Sequence, residues 1–198
     1  MIIDEFEKIW FGHEKDNVDV AITPFVPILN YIHKQGVQIF YKSIPDSLIP
    51  NEESLKRIDA IEEVLFIGYP CGLWDQRNFI PIVRKGVTAT PIYIDFNGEK
   101  QFLIDASVFP GSSGSPVFLY NVGTFWDRKT KATVVGNRLL FLGILSHVFQ
   151  MPDTGEVIIS SKNMPLVKTK QLLDIGIVFK AETIIETIRC FLKSKNIL

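Results

Sequence analysis

The sequence predicts an all-β fold closed by a C-terminal α-helix, and three observations carry that expectation. Apolar runs of strand length, such as Val64-Leu65-Phe66-Ile67 and Leu139-Leu140-Phe141-Leu142, recur between turn signals. Asn97-Gly98 lies between apolar runs on either side, the strongest short-range signature of a β-hairpin. An apolar stripe at helical spacing closes the chain, with Ile184, Ile185, Ile188 and Leu192 on one face.

Taken in order, Glu5–Phe11 reads as an aromatic-rich strand ending at Gly12, followed by a polar turn and a short strand over Val18–Ile22. Pro24, Pro27, Pro45 and Pro50 then punctuate a stretch with a short helix at Pro27–Lys34, closed by Gly36, and a strand at Val37–Tyr41. Asn51 is placed to cap a helix or linker that runs toward Ile61. Val64–Gly68 has the continuous apolar character of a buried strand. Tyr93–Ile104 is a hairpin turned at Asn97-Gly98, and Val117–Tyr120 is a strand. Trp126–Lys131 reads as a charged, solvated loop, and Leu139–Val148 as a long strand. Residues 150–174 read as a long loop with one strand at Val157–Ser160, before a last strand at Ile175–Lys180 and the closing helix.

Composition narrows the function classes. With 198 residues, 46% of them hydrophobic and 15 of them Phe, the chain can bury a sizeable core. A net charge of −1 offers no electrostatic footprint for nucleic acid or an anionic membrane. Cys71 and Cys190 make no disulfide framework, and no Cys/His cluster has zinc-ligand spacing, so no metal or other cofactor is expected. The first eight residues carry acids where a signal peptide is basic, and no apolar run approaches the ~20 residues of a membrane span. The expectation is a soluble, cytoplasmic protein.

The chemistry concentrates between Asp105 and Pro116, in Asp-Ala-Ser-Val-Phe-Pro-Gly-Ser-Ser-Gly-Ser-Pro. Ser113 stands in a tight turn between Gly111 and Gly114, closed by Pro116 and followed by an apolar strand, the way a serine nucleophile is presented. In such a turn the N–H groups of Gly111 and Ser113 can converge on a carbonyl oxygen that is becoming an anion.

This run resembles the nucleophile signature of trypsin-like, chymotrypsin-fold serine peptidases, and within them the bacterial HtrA-type domain. Four further stretches are similar in the family's order: residues 9–22, 63–89, 139–148 and 175–188. They include Asp19-Val20-Ala21-Ile22, Ile67-Gly68-Tyr69-Pro70-Cys71-Gly72-Leu73 and Gly143-Ile144-Leu145-Ser146. The resemblance implies two antiparallel β-barrels, with residues 1–61 a remnant of an incomplete first barrel plus linker and 62–198 the second barrel with its helix. It implies Ser113 as nucleophile, Gly111 and Ser113 as the oxyanion hole, and Asp19 as the residue that orients a histidine. Ser107 would lie at the base of the primary pocket, with Ser146, His147 and Val148 along its walls. Uncharged Ser107 implies a preference for apolar side chains of modest size, while Leu145 argues against glutamate. Cys71 falls at a variable position and reads as packing.

The chain also departs from the family. Ser112 stands where Asn or Asp is usual and Ser115 where Gly is common. Only 18 residues precede Asp19, whereas the template's base precedes its aspartate by roughly 45. His13, His33 and His147 match no base position. The resemblance thus implies a histidine on an N-terminal segment or partner chain that completes the first barrel. Two functions compete: a serine endopeptidase of peptide or protein substrates, inactive as this chain alone, and a non-catalytic pseudopeptidase that binds an extended peptide by strand addition along residues 143–148.

Overall fold

The computed structural model describes residues 6–151 and 171–197. In place of the aromatic strand expected up to Phe11, Phe6–Ile9 form a 3-10 turn, followed by the two-residue strand β1 (Phe11–Gly12). The strand expected at Val18–Ile22 shrinks to β2 (Ala21–Ile22), antiparallel to β1. Its first half is diverted because Val18 and Val20 turn inward onto Phe179, and the Val20 N–H closes a local bond to the Val18 carbonyl at 2.8 Å. Helix α1 (Phe25–Lys34) starts slightly ahead of the expected position and gives way at Gly36, whose φ is +72°. Val37–Tyr41 forms no strand, since no neighbouring strand offers a ladder, and Phe40 is 95% exposed. In α2 (Glu52–Leu55) the Asn51 side chain accepts the Ser54 N–H at 2.8 Å, the cap that its position predicts.

The barrel follows. Its strands are β3 (Glu63–Gly68), β4 (Ile82–Thr88), β5 (Gln101–Asp105) and β6 (Pro116–Asn121). After the outlying hairpin β7 (Thr124–Asp127) and β8 (Ala132–Val135) come β9 (Arg138–Met151) and β10 (Gln171–Lys180). Six of them close in the order β10-β5-β4-β3-β6-β9, every neighbour antiparallel. Alternation explains the core: Val64 and Phe66, Phe102 and Ile104, and Val117 and Leu119 each sit two apart on one strand face and are buried. Leu142, Leu145 and Val178 complete it from β9 and β10. This single closed barrel with a C-terminal helix is what the described residues contain; ahead of it, β1 and β2 form only a two-stranded ladder.

Three local expectations change. Asn97 (φ 55°) and Gly98 (φ 77°) make the expected turn, but only Phe96 and Glu99 bridge across it. Residues before the turn are drawn away, Ile92 into the core and Tyr93 under the Arg128 guanidinium at 3.9 Å. The charged stretch at Trp126–Lys131 is the tip of the β7–β8 hairpin, and Asp127 is buried at 2% exposure. Its carboxylate accepts the Thr130 and Lys129 N–H groups and faces Arg57 at 3.4 Å. The Thr130 bond, with Arg57 beside it, holds that carboxyl below the usual range. The strand expected at Val157–Ser160 lies outside the described residues.

Helix α3 (Ala181–Ser194) packs on the barrel with a face rotated from the apolar stripe. Thr183 and Thr187 are fully buried, their hydroxyls donating to the Lys180 and Thr183 carbonyls, while Ile188 is 37% exposed. Among the described residues no helix is long and apolar enough to cross a membrane.

Candidate active site

The loop from β5 to β6 is fastened at both ends. On one side the Cys71 N–H donates to the Pro110 carbonyl at 2.7 Å. A Cβ on Gly111 (φ +87°) would stand 2.9 Å from the Tyr69 carbonyl oxygen, so only glycine lets the loop lie this close to the Tyr69–Gly72 turn. On the other side the Gly114 N–H donates to the Leu145 carbonyl at 2.7 Å, and the Leu145 N–H to the Ser115 carbonyl at 2.9 Å. Ser112 and Ser115 are buried, so of the three serines only Ser113 is exposed. Within the turn the Ser112 N–H bonds Phe109 and the Ser115 N–H bonds Ser112, both at 3.1 Å. The N–H groups of Gly111 and Ser113 donate to no acceptor among the described residues.

The Ser113 hydroxyl donates to the Ser146 carbonyl on β9. The Ser146 hydroxyl, from a residue only 4% exposed, in turn donates to Asp19 Oδ2 at 2.7 Å. Its oxygen also lies 2.8 Å from His147 Nδ1. Asp19 is delivered there by its neighbours Val18 and Val20, whose side chains are buried against Phe179. Four of the residues expected at the site therefore converge: Asp19, Ser113, Ser146 and His147. Ser107 is exposed on the same loop. Val148 pairs with Gly176 across β9 and β10, and its side chain lies outside the described residues.

None of the three imidazoles hydrogen-bonds Ser113. His13 is engaged at both nitrogens, Nδ1 accepting the Lys15 N–H at 3.1 Å and Nε2 facing Glu186 at 3.7 Å. Glu186 is also bound by Lys100 at 2.5 Å, and Lys100 reaches Glu182 at 2.6 Å. Burial pushes the Glu186 carboxyl up, but Lys100 and His13 outweigh it and leave the group below its usual range. His33 is exposed on α1. Cys71, expected to pack inside, is instead an exposed free thiol at φ 52°, because its backbone is turned to hold Pro110.

One neighbour of the loop escaped the sequence reading. Arg84 of β4 lies with its guanidinium 4.9 Å from the Phe109 ring and 5.7 Å from the Phe66 ring. The signal was the alternation in β4, where exposed Val83 and Lys85 leave Arg84 on the other face. Comparison of the chain with family models, with curated proteins and with solved structures found no match.

Proposed function

We propose that the surface beside Ser113 is the peptide cleft of a chymotrypsin-type serine peptidase, with Ser113 as the nucleophile for a peptide carbonyl. One observation carries the reading: Ser113 and Asp19, assigned from separate stretches of sequence, are both hydrogen-bonded to Ser146, 127 positions from Asp19. The unengaged N–H groups of Gly111 and Ser113 fit the role of an oxyanion hole. Turnover also needs a base to take the serine proton and return it to the leaving amine. No imidazole among the described residues hydrogen-bonds Ser113, so in this reading the base is an imidazole brought to Asp19 by another segment or chain.

Without it, the same cleft acts as a peptide-binding groove. Of the 143–148 stretch expected to take a peptide, Gly143 and Ile144 are already paired with β6 and Leu145 with Gly114 and Ser115, which leaves residues 146–148 past the end of β6 to support this second reading. An extended peptide can add there as a strand. A fluorophosphonate probe with peptide mapping tests the nucleophile: labelling is expected at Ser113 and lost in Ser113→Ala. Labelling that persists in that variant refutes the assignment. Peptide hydrolysis by residues 1–198 is expected to fall short of triad-level turnover by about 10⁶.

A further inference from the structure

We infer that Arg84 makes the cleft selective for a peptide bearing a carboxylate close to the carbonyl presented to Ser113. The inference rests on the peptide cleft proposed above and adds the chemistry of what occupies it. It departs from the apolar preference that uncharged Ser107 suggests, because the charge comes from a strand beneath the loop and not from the loop itself.

Arg84 is unlike the other partly buried cations. Arg138 bonds Glu62 at 2.7 Å, Lys100 binds Glu182 and Glu186, and Lys180 binds Asp95. Among the described residues Arg84 meets no carboxylate, and its guanidinium donates no hydrogen bond. Its Nη1 is nevertheless buried. The guanidinium lies over the Phe66 and Phe109 rings, which attract its charge but accept none of its hydrogen bonds in the way an oxygen would. A charge removed from water without an acceptor is costly, and a carboxylate is its best complement because the guanidinium fork can hold both oxygens.

A second, independent observation lies in the same loop. The Ser112 hydroxyl is 1% exposed and has no partner, although its backbone N–H bonds Phe109, the residue over Arg84. Of the three buried side-chain polar atoms left unpartnered among the described residues, two thus border the loop that carries Ser113. The third, Arg138 Nη1, belongs to a guanidinium already bonded to Glu62 and Asn121. A guanidinium without a carboxylate, partly exposed beside the loop that carries Ser113, points to an acceptor arriving with the ligand.

The carboxylate can be an Asp or Glu side chain or the terminus of a peptide, and the test separates them. Dye-labelled, C-terminally amidated alanine-based peptides carrying one Glu, or one Gln, at successive positions are titrated with the chain and read by fluorescence anisotropy. A Gln peptide with a free C-terminus forms the second arm. Glu at one position, or the free terminus, is expected to tighten binding about tenfold over the neutral match, less at high salt. Arg84→Gln is expected to remove that ratio, and Arg84→Lys to retain part of it. Equal binding of Glu, Gln and free-terminus peptides, or a preference that survives Arg84→Gln, overturns the inference and leaves the peptide cleft standing. Failure of every peptide to bind overturns both. Should Arg84→Gln not fold, the ratio in the unaltered chain and in Arg84→Lys still decides.

Discussion

The region before the barrel and the barrel itself are built from similarly apolar sequence, yet only one of them has an interior. Among described residues up to 61, only Val18, Val20 and Ile58 are buried hydrophobics. Helix α1 buries no residue, and Phe25, Val26, Tyr31 and Phe40 face solvent. In the barrel, strands of the same kind close on one another and bury Phe66, Phe102, Ile104 and Leu145 almost completely. The difference is closure. A strand's apolar face becomes core only when a neighbour covers it, and β1 and β2, two residues each, are too short to enclose one. The first region is instead tethered at a few points: Val20 on Phe179, Phe11 edge-on to Phe191 at 5.5 Å, His13 at Glu186 and Asp19 at Ser146. One of those tethers is also part of the candidate site.

Truncating one aromatic residue in each region tests that contrast with the largest effect. Phe102→Ala, at 0% exposure, is expected to cost about 3–5 kcal/mol in chemical denaturation. Phe40→Ala, at 95% exposure, is expected to stay within about 0.5 kcal/mol. Equal losses would mean that the first region has a core of its own. A smaller effect is expected from Asp19→Ala, which removes the carboxylate that accepts from the buried Ser146 hydroxyl. The cost is about 1–3 kcal/mol, read as faster hydrogen exchange over residues 11–22 with the barrel strands unchanged. Exchange that speeds up throughout the barrel would show that Asp19 supports the whole fold rather than a tether.

The smallest effect concerns pH. Glu186 is held below its usual range, so its contribution is present above the unfolded-state value and lost as pH falls through the lower folded value. Hydrogen bonds from Lys100 to Glu182 and Glu186 raise the lysine, so its contribution is present below the ordinary lysine value and lost as pH rises through the raised one. This partly exposed cluster is expected to give up about 0.2–1 kcal/mol at either extreme, with no loss between them. Lys100→Gln should flatten the acid limb measured by hydrogen exchange at His13 and its neighbours; an unchanged limb would remove the cluster from the tether.

How much of this was legible depends on the range of the interaction. The strands, the Asn97-Gly98 turn and the Gly-Ser-Ser-Gly loop were readable because strand period and turn chemistry act over a few residues. The Val37–Tyr41 strand was misread for the same reason: its pattern is right, and no neighbour exists to pair it. The stripe on α3 misled because burial there follows the barrel surface, which takes Thr183 and Thr187 once their hydroxyls find carbonyls in the preceding turn.

The sequence by itself determined the barrel strands β3, β5, β6, β9 and β10 and which serine stands at the exposed turn, since alternation, apolar runs and glycine placement leave little choice there. Only the tertiary structure decided that Asp19 reaches Ser146, that His13 is committed to Glu186, and that Arg84 lies unpaired beneath Phe109. Each of those is a meeting of side chains from distant segments. Spacing along the chain cannot encode it, because it exists only once the sheet has closed and α3 has packed against it.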